Sequence, residues 1–332
     1  MPFFYGGNAM DINAKRMELD QQISALYRER MKLNEEIASE DLEFREFLKS
    51  AIENAPLNWP ECASVACQGV EGANSQEAAE TIFRYPDLMY FKNFEAVFSA
   101  IESGLCEYGV LPIENSTAGS VNKIYDLMVD HKFYIVRSTR LKIEHNLMVK
   151  PGTKLRDVTE IFSHEQALMQ CEDYLKENFP NVKLTACGNT AEAARKVAES
   201  DGKYAAICSS RCTQLYNLEN VRPSIQDHDS NYTRFICISK TPQIYPGADK
   251  TSIMATVPHK PGSLYHILGK FEEKGYNLIK LESRPIPATD FEFMFYFDYE
   301  ASMYHHEFIN TLCELDNLCD SMTYLGSYTE KI

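Results

Sequence analysis

The chain has 332 residues, 44% of them hydrophobic and 24% charged, which fits a soluble globular protein too long for one ordinary core. Its net charge of -15 argues against nucleic acid or an anionic membrane as partner, so an anionic ligand must be captured by local donors. No run of about 18 apolar residues and no basic, apolar leader is present, which excludes a spanning helix and a secretory signal and makes the cytoplasm the expected location. The ten cysteines and eight histidines form no C-x-x-C, H-x-x-x-H or H-E-x-x-H pattern, so neither a disulfide framework nor a structural metal is expected.

Residues 1–10 read as a leader, with Met10 as an alternative start. Residues 11–54 read as one long helix with a weak point at Ser39-Glu40-Asp41. Ile12, Arg16, Leu19, Ile23, Leu26, Arg30, Leu33 and Ile37 alternate by four and three, a heptad seam that calls for a partner helix. Pro56, Trp59 and Pro60 end this segment. From Ala63 the pattern becomes α/β. Strands are expected near residues 63–67, 108–113, 134–136, 147–149, 160–162, 184–187, 204–208 and 235–238. Helices are expected at 75 onward, 94–102, 121–130, 166–178 and 190–198. This alternation predicts mostly parallel sheets covered by helices on both faces. Gly69-x-x-Gly72 matches no nucleotide-binding pattern and fits a tight strand-to-helix turn.

A linker rich in turn formers occupies residues 241–249. The remainder reads as strand 251–257, helix 263–274, strands 278–284 and 291–299, helix 303–316 and strand 322–328. That βαββαβ order is the split-βαβ, ferredoxin-like unit.

Three loops of the α/β region end a buried strand with small hydroxyl or amide residues: 114–120, 163–166 and 231–233. In open α/β sheets, ligands bind beyond the carboxyl ends of strands, where helix N-termini offer free N–H groups. A site of Asn115, Ser116, Thr117, Ser163, Thr233 and Arg234 would hold carboxylates with few formal charges. Taken singly, Ser116, Ser163 and Asn231 read equally as caps. In Thr233-Arg234-Phe235 a hydroxyl that gives a proton adjoins a cation that holds a carboxylate, with Phe235 anchored in the core. His164 reads as a general base or as a cap of the next helix, and Gln170 as a cleft residue or a surface one. In the last unit, Pro261-Gly262-Ser263-Leu264 opens a helix and Glu282-Ser283-Arg284-Pro285 ends a strand, so both motifs fall at one sheet edge.

The stretches VACQGVEGANSQEAA, GVLPIENSTAGSVNKIYDLM, IFSHEQALMQC, NYTRF and LESRPIP stand in the order found in prephenate dehydratases, a family this chain resembles from Ala63 onward. The resemblance implies two periplasmic-binding-protein-like α/β subdomains with a cleft over residues 62–240, the second at about 141–216, followed by an ACT regulatory domain over 250–332. It implies conversion of prephenate to phenylpyruvate with loss of water and carbon dioxide, without metal or organic cofactor. It makes Thr233 the catalytic threonine with Arg234 and Phe235, and assigns Asn115, Ser163 and Gln170 to the active site, with Ser116, Thr117 and His164 beside substrate. It assigns Pro261, Gly262, Ser263, Leu264, Glu282, Ser283, Arg284 and Pro285 to a phenylalanine-binding regulatory site between chains of a homodimer or homotetramer. Val70, Asn74 and Ser263 depart from the residues usual at those places.

Residues 11–55 are similar to the first helix of AroQ-type chorismate mutases, with Arg30 on an arginine position. Asn13 and Asp41 replace two cations of that site, and too little chain follows for the other two helices. The segment therefore reads as a truncated, inactive mutase whose seam serves dimerisation. The leading expectation is a phenylalanine-inhibited prephenate dehydratase. Alternatives are a bifunctional mutase–dehydratase, an arogenate dehydratase and a non-catalytic amino-acid sensor.

Overall fold

The computed structural model describes residues 8–33, 42–201, 203–286 and 293–331, with backbone alone for 8–13, 27–33 and Leu42. Asp41, the leader before Asn8 and the side chains of Asn13 and Arg30 lie outside the described residues. Two compact units emerge: Met1–Pro60 with Phe133–Val136 and Thr241–Glu330, and Glu61–Lys132 with Arg137–Lys240 and Lys331–Ile332.

In the stretch read as one long helix, the described residues form helices α1 (Asn8–Leu33) and α2 (Leu42–Glu53), and the weak point at residues 39–41 lies outside them. On α1 the seam residues Leu19, Ile23 and Leu26 are exposed. On α2, Leu48 and Ile52 are fully buried, and Arg45 Nη1 donates to Asn310 Oδ1 at 2.7 Å.

The larger unit begins with β1 (Cys62–Gln68), α3 (Asn74–Ile82), β2 (Tyr85–Phe91), α4 (Phe94–Glu102), β3 (Tyr108–Asn115), β4 (Gly119–Ser120) and α5 (Asn122–Asp130); β5 (Tyr134–Lys142) starts in the smaller unit and belongs to the larger from Arg137 on. A second lobe follows: β6 (Asn146–Val149), β7 (Glu160–His164), α6 (Glu165–Met169), α7 (Glu172–Asn178), β8 (Lys183–Cys187), α8 (Thr190–Ala198), β9 (Tyr204–Cys208), α9 (Cys212–Leu215) and β10 (Glu219–Arg222). Then β11 (Tyr232–Ser239) returns to the first sheet, in the order β11-β3-β1-β2. The second sheet runs β10-β6-β9-β7-β8.

These sheets are mixed, where mostly parallel ones were expected. β1 pairs in parallel with β2 and β3, and β7 with β8 and β9. β11 is antiparallel to β3, and β6 to both β9 and β10. The reason is the return of the chain: β11 enters the first sheet from the second lobe. The sequence pattern also gives no sign of β2, because Pro86 and Asp87 interrupt its apolar residues. As an edge strand, β2 tolerates a proline that donates no ladder bond.

The second lobe shows why its strands read as continuous apolar runs. On β7, Phe162 packs with Ala191, Ala194 and Val197 of α8. Its neighbour Ile161 packs on the other face with Cys171 and Leu175. Helices on both faces leave β7 no wet side. All ten cysteines are free thiols; burial pushes that of Cys67 up to about 12.

The smaller unit continues with β12 (Lys250–Thr256), α10 (Ser263–Glu273), β13 (Asn277–Pro285), β14 (Phe293–Glu300), α11 (Phe308–Asp316) and β15 (Ser321–Lys331). The βαββαβ order is as read from the sequence, in an antiparallel sheet β13-β14-β12-β15. Ile253, Phe297 and Tyr299 of the sheet pack with Ile267, Phe271, Phe308 and Leu312 of the helices. Leu48 and Ile52 of α2 join the same core. The last stretch of the expected N-terminal helix, α2, is thus a structural part of the ferredoxin-like unit. Gly326 is obligatory on β15: its φ is +140°, and a Cβ there would lie 2.1 Å from the Ile135 carbonyl oxygen.

Candidate active site

The end of β3 and the start of β11 lie side by side, with Thr233 opposite Asn115 and Arg234 opposite Glu114. The next pair is Phe235 with Pro112, so Ile113 is an extra residue bulged out of β3. The bulge resets the pleat, and Pro112 and Asn115 come to share one face. Together with Thr233 and Phe235 they line a cavity of about 300 Å³.

Three amides close a ring beside Thr233. Asn115 Nδ2 donates to Asn231 Oδ1 at 2.7 Å, Asn231 Nδ2 to Gln170 Oε1 at 2.9 Å, and Gln170 Nε2 to Asn115 Oδ1 at 3.3 Å. Asn115 Nδ2 also donates to Thr233 Oγ1 at 2.9 Å. His145 Nε2 lies 2.8 Å from Gln170 Oε1. The two segments that join the lobes carry His145 and Asn231. Ile143 N donates to Asn231 O, His145 N to Gln226 Oε1 and Ile225 N to His145 O, which ties one crossing to the other.

The opposite wall comes from the starts of three helices. Asn74 and Ser75 open α3, His164 and Gln166 flank the start of α6, and Gly188, Asn189 and Thr190 lead into α8. Asn189 caps α8 by accepting from Glu192 N at 2.8 Å. The N-cap of α3 is Ala73, which makes no side-chain cap bond; Gln76 N donates to Ala73 O at 3.0 Å, so the α3 start carries no capping side chain that would compete with an anion. Among the described residues lining the cavity there is no Lys, Arg, Asp or Glu. Burial lowers the pKa of His145 and of His164 below the ordinary histidine value, and the bond to Gln170 offsets part of the effect at His145. Both rings are therefore neutral at neutral pH.

Several sequence-predicted residues stand elsewhere. Arg234 does not line the cavity: alternation turns it to the other face of β11, where it is 4% exposed and pairs with Glu114 Oε1 at 3.2 Å. Ser163 is fully buried on β7 and donates to Ile207 O at 2.7 Å, so its hydroxyl serves the sheet. Ser116 Oγ accepts from Tyr232 N at 2.9 Å and donates to Ser230 O at 2.7 Å, stitching two loops. Thr117 lines a neighbouring cavity of about 230 Å³ that shares Gln166 and Gln170 with the first. His164 does line the cavity and makes no side-chain cap bond to α6. Gln170 reaches the cavity because the expected helix 166–178 breaks at Gln170 and Cys171, between α6 and α7.

The sequence reading missed His145, which sits on a crossing segment without periodicity. It saw Asn231 only as a loop residue. In the smaller unit, Pro261, Gly262, Ser263 and Leu264 line a cavity of about 580 Å³ with Phe293 and Phe295. Gly262, at φ +91°, is the N-cap of α10. Glu282, Ser283, Arg284 and Pro285 are on β13, beside that lining through the pairs Ser283–Phe295 and Pro285–Phe293.

Known proteins resemble this chain over most of its length. The family model described as prephenate dehydratase matches residues 65–243. The chain is 36% identical over 277 residues to arogenate dehydratase/prephenate dehydratase 2 of Arabidopsis thaliana, covering 80% of this chain and 72% of that one. It is 34% identical over 294 residues to the bifunctional chorismate mutase/prephenate dehydratase of Stutzerimonas stutzeri, covering 87% and 78%. A solved structure of prephenate dehydratase from Arthrobacter aurescens, in complex with L-Phe, superimposes with a TM-score of 0.73 at 27% identity, covering 80% and 89%.

Proposed function

The chain belongs to the prephenate dehydratase family, and on that premise we propose that its uncharged cavity converts prephenate to phenylpyruvate with Thr233 as the proton donor. The observation that carries this is the polarity at Thr233: its oxygen accepts the Asn115 amide hydrogen, leaving its own hydrogen for a ligand in the cavity. That hydrogen goes to the departing ring hydroxyl, which leaves as water. The carbon–carbon bond to the ring carboxylate breaks, its electron pair enters the ring, and carbon dioxide departs. Aromatisation supplies the driving force, and the reaction takes up one proton in all, which returns to Thr233. The Asn115 N–H stabilises the oxygen while its charge is greatest. The uncapped start of α3 and the neutral donors of the opposite wall suit carboxylates without a guanidinium.

The smaller unit reads as an ACT regulatory domain that binds phenylalanine at the cavity opened by residues 261–264, in a homodimer or homotetramer. Its βαββαβ topology and the L-Phe complex of the Arthrobacter aurescens relative support this reading. The N-terminal helices read as a mutase remnant without activity, supported by the engagement of α2 in the ferredoxin-like core. Steady-state kinetics of the purified chain with prephenate, arogenate and chorismate, each with and without phenylalanine, test all these points. Phenylpyruvate must form from prephenate and turnover must fall with phenylalanine. Chorismate consumption would restore the bifunctional reading, and faster phenylalanine formation from arogenate would move the substrate assignment.

A further inference from the structure

The donor directions around Thr233 can be deduced from main-chain atoms alone. Asn115 Oδ1 faces two backbone N–H groups, of Thr117 at 3.0 Å and Ala118 at 2.8 Å. Its Nδ2 faces the Tyr232 carbonyl at 3.2 Å. A backbone N–H only donates and a carbonyl only accepts, so the Asn115 amide has one possible orientation. The contact from Asn115 Nδ2 then makes the facing atom of Asn231 its oxygen. Asn231 must therefore offer its Nδ2 to Gln170, whose facing atom must be Oε1. That oxygen lies 2.8 Å from His145 Nε2, so the imidazole nitrogen has to carry a hydrogen.

We infer that His145 is a positioning residue, held as the Nε2–H tautomer, which fixes the direction of the Gln170 amide and so closes the Asn115–Asn231–Gln170 ring beside Thr233. The inference rests on the dehydratase reading of that cavity. The imidazole is nearly inaccessible, at 4% exposure, and its backbone is pinned by Gln226 Oε1 at 3.0 Å and by Ile225 N at 2.8 Å. It therefore has little freedom to turn its other nitrogen to Gln170. Were that nitrogen unprotonated, its lone pair would meet the Gln170 oxygen lone pairs, and the glutamine would flip. A flipped Gln170 would present oxygen to Asn115 Oδ1 and break the ring. The signal is absent from the sequence because His145 and Gln170 belong to different segments, 25 residues apart.

Two measurements test this. In protein labelled with 15N at histidine and assigned through backbone connectivity in the wild type, His145 should show a protonated Nε2 and a bare Nδ1 at neutral pH. The opposite tautomer overturns the inference, whatever the variants do. In kinetics with prephenate, His145→Phe should lower kcat about tenfold with KM changed less than about twofold. His145→Gln, which places an amide hydrogen near the lost Nε2–H, should recover most of that loss. A Phe variant that keeps its kcat, or a Gln variant no better than Phe when both melt with the same Tm, overturns it. A wild-type chain that turns over no prephenate sinks the dehydratase reading instead, and the tautomer measurement still decides the placement of the hydrogen.

Discussion

Two polar clusters of this molecule are built from similar parts and do opposite work. In the ferredoxin-like sheet, Ser252, Asp298, Tyr296 and Tyr328 are all buried. Ser252 Oγ donates to Asp298 Oδ1, Tyr296 OH donates to Ser252 Oγ at 3.2 Å, and Tyr328 OH reaches Asp298 Oδ1 at 3.4 Å. Its hydroxyl hydrogens turn inward on a carboxylate, and none of these four side chains lines one of the cavities described above. The amide ring of the larger unit is also mutually satisfied, yet Asn115, Gln170 and His145 border the cavity, and Asn115 Nδ2 donates to Thr233 Oγ1 there. A closed network holds a sheet together; a network with one hydrogen left over is equipped for chemistry.

The sharpest way to break this comparison is Thr233→Ala. Loss of a positioned proton donor should lower kcat by at least about 100-fold, with little change in Tm. A variant that retains full activity would remove the amide cluster from the mechanism. The reverse pattern is expected of Asp298→Ala. It strands buried hydroxyls and should cost about 2–4 kcal/mol in denaturant unfolding, with kcat per folded molecule unchanged. Ser163→Ala separates the sequence reading from the structure. A catalytic hydroxyl would take most of the turnover with it. A hydroxyl that only bonds Ile207 O should cost about 1 kcal/mol of stability and leave kcat within about threefold.

The smallest effect concerns pH. His145 and His164 have folded-state values below 6.5 because burial penalises the charged ring. The unfolded chain binds their protons first, so the stability associated with the neutral rings is complete above about pH 6.5 and declines as pH falls below it toward the folded values. Melting temperatures from pH 8 to 5 should show this decline, and His145→Gln should flatten it in part. A Tm that rises on acidification through this window would contradict the neutral rings.

Much of the fold was legible because burial repeats along an element. The apolar runs at Ala205–Ala206–Ile207 and Ile236–Cys237–Ile238 mark strands covered on both faces, and these residues are fully buried. The βαββαβ order needed only local periods. The edge strand β2 was hidden by a proline that matters little there, and β10 by its brevity, Glu219–Arg222. Asn115, Thr233 and His164 stand at strand ends or helix starts, as read, and the structure places them with Gln170 around one cavity. Arg234 stands off the cavity because a residue next to Thr233 on a strand turns to the other face. For Ser163 the sequence could not show that the hydroxyl bonds Ile207 O, because a hydroxyl near a strand end looks the same whether it faces a cleft or a neighbouring strand.

By itself the sequence determined the element types, the ferredoxin-like C-terminal unit, the absence of metal-binding patterns and the set of hydroxyl and amide residues from which a site could be made. Tertiary structure alone decided which of them face the cavity. Periodicity records how each element is buried along its own axis. The bulge at Ile113, the pairing of Asn115 with Thr233 across 118 residues and the seating of His145 against Gln170 are agreements between distant segments. No local pattern encodes them, because each depends on where the chain re-enters the sheet.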